Sequence, residues 1–270
     1  MLAAVRQAMI VDEVRRTGAA RISDLTSLLR VSDVTVRRDL EVLDRRGLLT
    51  RVRGGATNTE MDVAIELDFE DKSRREPDEK RAVAEVAVSL IRPGMAIALS
   101  SGSTTFAVAS ALGDIPHLTV VTNSLKVADL LYLRGRPDQT VVLLGGLRTP
   151  SGGLVGPVAV QAIRSLHVDL TFMGVHGMDE HAGLTTPNML EAETNRAMVD
   201  TARRLVVVTD HTKWGVVGLS QIAPLSAVST IVTGEQIAAE AVSVLRDHVG
   251  EVLLARAASP VVASENGFVG

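Results

Sequence analysis

Cysteine is absent from the 270-residue chain. That excludes a disulfide framework, a thiolate metal site and a cysteine nucleophile, and it fits a reducing compartment, so the cytoplasm is the expected location. Aromatic residues are nearly as scarce: one Trp, one Tyr and four Phe leave few platforms for stacking unpaired bases, which disfavours recognition of single-stranded nucleic acid. No apolar run approaches the roughly 18 residues that cross a bilayer, and the first apolar stretch is broken by Arg6, Asp12 and Glu13. Neither export nor membrane insertion is expected. The six His lack metal-binding spacing such as H-x-x-x-H, so neither a metal nor a cofactor is expected. The chain does have ample apolar material, 46% of residues, and enough length for one large or two ordinary domains.

Lysine is missing from the first 60 residues, which carry 11 Arg against eight Asp or Glu, a net +3; the remaining 210 carry a net −7. A basic head on an acidic body suggests that the head alone meets a polyanion. Within the head, Val5, Ala8, Met9, Val11 and Val14 fall at helical spacing and Gly18 supplies a stop. Ser23 is placed to cap a short second helix with Leu25, Leu28 and Leu29 on one stripe. Ser32 caps a third, in which Val36, Leu40 and Leu43 form the apolar face and Thr35, Arg37, Arg38 and Glu41 turn outward. Two adjacent guanidiniums near a capped helix start suit guanine edges or phosphate. Residues 48–53 read as a short strand pair or wing from which Arg51 and Arg53 reach the neighbouring backbone or minor groove. On periodicity and charge alone, a three-helix accessory bundle with merely solvated arginines stays open.

Residues 57–78 lack sustained periodicity and read as a linker, and 256–270 as a flexible tail. Between them a helix over 79–91 is followed by apolar runs at 96–99, 118–122, 140–144, 168–175, 205–209 and 230–233. Helical stretches near 104–112, 124–133, 157–166, 188–203 and 236–247 alternate with them. Continuous apolar strands separated by helices predict an α/β domain with a mainly parallel sheet covered on both faces. Ser100 to Thr105 lie between a strand and a helix, where backbone N–H groups and hydroxyls cradle phosphate, although caps use the same residues. Thr122-Asn123-Ser124, Gly145-Gly146 and Gly174 to Gly177 also follow strands. In an open parallel sheet such loops line one crevice.

The segment Val31-Ser32-Asp33-Val34-Thr35-Val36-Arg37-Arg38-Asp39-Leu40, with Arg51-Val52-Arg53-Gly54-Gly55-Ala56, resembles the DeoR family of bacterial transcription regulators. So do Gly102-Ser103-Thr104-Thr105, Thr119 to Ser124, Leu144-Gly145-Gly146, Asp169 with Phe172-Met173-Gly174, Gly183 to Thr186, and Asp210-His211-Thr212-Lys213. The resemblance implies a winged helix-turn-helix over 1–56 and, over 79–255, a sensor and oligomerisation domain related in fold to ribose-5-phosphate isomerase. It implies a repressor of carbohydrate-catabolism genes relieved by a phosphorylated sugar, although no residue fixes the sign of the response. Carried over, Ser32, Thr35, Arg37 and Arg38 face the duplex. Ser101, Gly102, Ser103, Thr104 and Thr105 hold phosphate, and Asn123, Asp169 and Lys213 lie near the sugar. The expected partners are an operator duplex, the metabolite and further copies of the chain, as a dimer or tetramer, with no membrane.

Two positions depart from the family pattern: Ser100 stands where Asp is frequent, and Asn195 where Lys is frequent in the stretch Glu191 to Met198. Aldose–ketose isomerisation needs a base and a cation at the enediolate. Asp169, Glu191 and Glu193 supply carboxylates, but only Lys213 is left as a cation, and Glu191 and Glu193 diverge by about 200° on a helix. The chain is therefore expected not to be an enzyme. An isomerase with an accessory DNA-binding head, and a DNA-binding protein without metabolite response, are the alternatives.

Overall fold

The computed structural model describes residues 2–17, 19–46, 48–52, 54–57 and 68–257. The chain divides into two compact units, residues 1–65 and 66–270.

The first unit runs α1 (Ala3–Thr17), β1 (Ala19–Arg21), α2 (Ile22–Leu29), α3 (Asp33–Arg45), β2 (Thr50–Val52) and β3 (Gly55–Thr57). The three strands form one antiparallel sheet in the order β1-β3-β2. The expected wing is thus a three-stranded sheet, its extra strand supplied by a segment between helices too short to show alternation. Ile10, Val14, Leu25, Leu29, Val36, Leu40 and Leu43 pack together as the core. Gly55 is needed because a Cβ there would lie 2.2 Å from the Ala20 carbonyl oxygen. Ser23 does not cap α2, as its spacing suggested; the cap position is Arg21, without a side-chain bond, and Ser23 sits in the first turn bonded to Asp24. Ser32 does cap α3, accepting from the Thr35 amide.

In the second unit, α4 (Phe69–Arg74) and α5 (Pro77–Val88) precede a seven-stranded sheet. Its members follow in the chain as β4 (Ala96–Leu99), α6 (Ser103–Ala111), β5 (Thr119–Thr122), α7 (Leu125–Arg134) and β6 (Thr140–Leu143). A hairpin β7 (Leu147–Arg148) and β8 (Leu154–Val155) leads to α8 (Pro157–Arg164) and β9 (Val168–Met173). Then come β10 (Gly177–Asp179), β11 (Gly183–Thr186), α9 (Met189–Asp200), β12 (Ala202–Val208), β13 (Ser220–Ala223), β14 (Thr230–Gly234), α10 (Ala239–His248) and β15 (Val252–Ala255). The large sheet has the order β15-β14-β12-β9-β4-β5-β6, with parallel pairing throughout. Consecutive residues alternate between two cores: Ile97, Leu99, Val120, Phe172, Val206 and Val232 on one face, Ala98, Val121, Met173, Val207 and Ile231 on the other. Burial on both faces is what makes these strands continuously apolar.

Three features differ from the sequence reading. The segment read as linker is helical from Phe69, because Asp68 caps α4 and Pro77 opens α5; residues 58–67 lie outside the described ones. A seventh parallel strand, β15, closes one edge. In a small antiparallel sheet β10-β11-β13, β11 pairs with β13 across 34 or more residues, a pairing that local periodicity does not encode.

One buried ion pair fixes α3 on α1. Arg6 donates through Nε and Nη2 to the buried Asp39, which also accepts from Gln7 Nε2 at 3.0 Å. Burial raises the Asp39 pKa, but the bonds from Arg6 and Gln7 outweigh it and hold the carboxyl below its ordinary value. Asp39→Ala is expected to cost about 3 kcal/mol, since it removes the buried carboxylate that Arg6 and Gln7 both bond. Hydrogen exchange of α1 and α3 in the full chain checks this, and unchanged protection would contradict it.

Candidate nucleic-acid interface and loop crevice

On α3 the residues facing away from the core are Asp33, Val34, Arg37 and Arg38, all exposed, with Thr35 half-buried. The Thr35 hydroxyl is 2.9 Å from Ser32 Oγ, so both side chains complete the cap. The two arginines are not equivalent. Arg37 is held by Asp33 one turn earlier through Nε and Nη2, and that pairing raises the guanidinium and lowers the carboxyl. Arg38 has no ion pair among the described residues. Arg51, on β2, pairs with Glu41 of α3 at 2.8 Å, and its amide donates to Asp44. The wing arginine is thereby tied to the recognition helix, while Arg53 lies outside the described residues. Val34 is 72% exposed, an apolar group of the kind that thymine methyl groups accept.

The crevice of the second unit forms where strand order reverses. From β4 the chain proceeds outward through β5 and β6, then returns to pair β9 on the other flank of β4. The loops after β4 and β9 therefore diverge at the sheet's C-terminal rim, the position at which parallel sheets hold ligands. Ser100 Oγ accepts from the Gly174 amide at 3.1 Å and joins these loops. The Ser101 amide donates to Asn123 Oδ1 at 2.8 Å, and Asn123 Nδ2 donates to the Leu154 carbonyl at 3.1 Å. Gly153 approaches so closely that a Cβ would sit 2.4 Å from Ser101 Oγ. Gly102 has φ +142°, a conformation side chains rarely adopt, and no side chain caps α6 behind it. The first amides of α6 follow at this rim, with Ser103 half-buried and Thr104 buried.

Two expected contacts are corrected. Asp169 sits at the start of β9, accepting from the Ala96 amide at 3.0 Å and lying 3.7 Å from Arg203. Four residues separate it from Met173 at the strand's C-terminal end, about 13 Å at strand rise, so it is at the opposite rim from the crevice. Asn123 is fully buried with both amide ends engaged; it braces the loops. The Thr105 hydroxyl is likewise used, donating to the Gly102 carbonyl.

Lys213 lies at the correct rim, in the 3-10 turn His211–Lys213 after β12. Beside it is a cluster that local sequence reasoning missed, its members being up to 155 positions apart. Glu79 of α5, buried, accepts from the His211 and Gly234 amides through Oε1 and meets His211 Nδ1 at 2.7 Å through Oε2. Buried Lys80 stands 3.6 Å from Asp210 Oδ2. Burial pushes both Lys80 and Lys213 down. For Asp210 burial acts upward but is outweighed by Lys213 and Lys80, and the carboxyl stays low. Glu76, Glu79 and His211 bring ligand atoms within 4.8 Å of one another. Both Glu79 oxygens are already hydrogen-bonded, and Lys80 and Lys213 stand close by, which disfavours a cation.

A family model described as a DeoR-like helix-turn-helix domain matches residues 6–61, and one described as the DeoR C terminal sensor domain matches 75–235. The chain belongs to the DeoR family. Relatives along nearly the whole length agree. The HTH-type transcriptional regulator YulB of Bacillus subtilis is 33% identical, covering 92% of this chain and 95% of that one. The glycerol-3-phosphate regulon repressor of Escherichia coli K12 is 30% identical, covering 88% and 94%. Among solved structures, ribose 5-phosphate isomerase A from Methanocaldococcus jannaschii aligns over 51% of this chain and 54% of that one, at 20% identity and a TM-score of 0.37. The two departures from the DeoR pattern have distinct surroundings. Ser100 bonds the Gly174 amide, whereas Asn195, on α9, is buried with Oδ1 lacking a partner among the described residues.

Two outcomes follow. Asn123→Ala strands a buried amide and a buried carbonyl and should cost about 2–4 kcal/mol, read by denaturant unfolding; a cost near zero would mean the loops are braced otherwise. The bond that His211 Nδ1 makes to Glu79 raises the His211 pKa above 6.5. The stability it contributes is fully present below pH 6.5 and is lost as pH rises through the higher folded value. The thermal midpoint should therefore fall between about pH 6 and 8, and His211→Gln should flatten that slope.

Proposed function

We propose that this DeoR-family regulator is a repressor of carbohydrate-catabolism genes, released from its operator when a phosphorylated sugar or related metabolite fills the crevice. The observation that carries the reading is the strand-order reversal, with the uncapped start of α6, the Ser101–Thr105 loop and the lysine-bearing turn after β12 at one rim of the sheet. Amides and hydroxyls of this kind suit a phosphate ester. Residues 1–56 read the duplex in this proposal, and residues 79–255 sense the metabolite. Ser32, Thr35, Arg37, Arg38 and Arg51 contact DNA, with Arg53 proposed from sequence alone. Ser101 to Thr105 cradle phosphate and Lys213 supplies the cation.

The chain acts in this reading as a homo-oligomer, since two heads are needed to meet two half-sites about one turn of DNA apart. Support comes from the edge strand β6 and its surroundings, where Tyr132, Leu133, Leu143, Leu147 and Val158 are exposed although monomers rarely expose such apolar groupings. A sensor is favoured over an isomerase because Asp169 is at the far rim and Glu191 accepts from Thr186. An isomerisation assay on the full chain with ribose 5-phosphate discriminates the two, turnover being the result that favours the enzyme. A coupling of roughly 1–3 kcal/mol between metabolite and operator would change DNA affinity about 5- to 150-fold.

Arg38→Ala should weaken binding to the genomic fragment that the wild-type protein enriches by about 1–3 kcal/mol if the residue meets a base. Affinity should fall steeply with salt. Unchanged binding and a flat salt response would together remove α3 from the groove. Gly102→Val should abolish the response to sugar phosphates while sparing DNA affinity, and a normal response would move the pocket.

A further inference from the structure

The first described element after residue 67 is α4, and it is fastened to the crevice rim at both ends. Phe69 meets Phe106 edge-on, ring centroids 5.4 Å apart at 83°. Lys126 lies over the same ring at 4.4 Å and pairs with Glu70 at 2.8 Å. At the other end Lys80 Nζ donates to the carbonyl of Lys72 at 2.6 Å and to that of Arg75. Phe106, Lys126 and Lys80 sit in or beside the first turns of α6, α7 and α5. The starts of α6 and α7 directly follow strand C-terminal ends at the rim, and Lys80 reaches the rim through Asp210.

Lys80 also faces inward. Its ammonium is 3.6 Å from Asp210 Oδ2, a buried oxygen that accepts no hydrogen bond among the described residues. Lys213, three residues on, bonds the Asp210 carbonyl through its amide at 3.3 Å and acts on the same carboxylate through its charge. One ammonium is thus shared between the backbone carbonyls that end α4 and a carboxylate on the loop that carries the crevice lysine. Its neighbour Glu79 fixes α5 to that loop and to Gly234, so α5 itself is held in place.

We infer that α4 is a strap through which occupancy of the crevice reaches the chain leading to the DNA-binding unit, with Lys80 as its latch. The inference rests on the proposed function, in that a phosphorylated metabolite enters beside Lys213. An anion drawn to Lys213 competes with Asp210 for that cation. Asp210, buried and short of one partner, then turns to Lys80, and the ammonium leaves the Lys72 and Arg75 carbonyls. Freed of that bond, the end of α4 next to α5 loosens. In a water-poor site such a redistribution of three charges is strong enough to move a side chain, and α4 is short enough to open locally without unfolding the sheet.

Hydrogen–deuterium exchange of residues 68–76 in the full chain tests this. Glycerol 3-phosphate, fructose 1-phosphate, galactosamine 6-phosphate and ribose 5-phosphate serve as probes, with binding measured separately by calorimetry. A probe that binds the wild-type protein should speed exchange over 68–76 by about tenfold. Lys80→Met should show the faster exchange without any probe. It should still bind the probe within about threefold, and its affinity for the enriched genomic fragment should no longer respond to it. Should Lys80→Met not fold, Phe69→Ala, which cuts the fastening at the other end, should show the same faster exchange and lost response. Binding to the wild-type protein with exchange over 68–76 unchanged, or a full response in the variant, overturns the strap and leaves the effector site standing. Binding of no probe overturns the effector reading, and the strap with it.

Discussion

In a sheet whose seven strands all run parallel, every strand's C-terminal end must arrive at the same rim, where the loops after β4, β5 and β14 begin α6, α7 and α10. This directional constraint governs the body of the molecule. Because order reverses between β4 and β9, the loops at that point separate and leave a space lined by helix starts. The Ser100, Ser101 and Asn123 bonds exist to hold those loops at a set spacing. Gly153 permits an approach that a side chain would block, and Gly102 adopts a backbone conformation that side chains rarely reach.

The DNA-binding unit relies on a different economy of charge. Its guanidiniums are partly spent within the protein: Arg6 on Asp39, Arg37 on Asp33, Arg51 on Glu41. Exposed pairs such as Arg37–Asp33 contribute little to stability, but they hold the guanidinium in one orientation, and a group ordered in advance loses less freedom on binding. Arg38 makes no ion pair among the described residues. The +3 head is therefore less a diffuse basic surface than a few directed cations on a capped helix.

Much of this was legible in the chain. Helical periodicity placed α1 and α3, Ser32 announced its cap, and the apolar runs located six of the seven parallel strands, because each signal is carried by residues within a turn or two of one another. The loop between β4 and α6 was legible for the same reason. Asp169 was misplaced because the motif carrying it spans the whole of β9, and residues at the two ends of one strand serve opposite rims. Ser23 was a plausible cap by spacing, but β1 pairs with β3 and brings Arg21 to the helix start instead.

By itself, then, the order of residues determined the family, the two-part organisation, the recognition helix and the loop beside α6, all of which depend on local pattern. Tertiary structure alone decided which charges meet. Glu79 with His211 and Gly234, Lys80 with Asp210, and Arg6 with Asp39 pair across 33 to 155 positions. Such pairings leave no periodic trace, because burial and strand order, not spacing along the chain, bring them into contact.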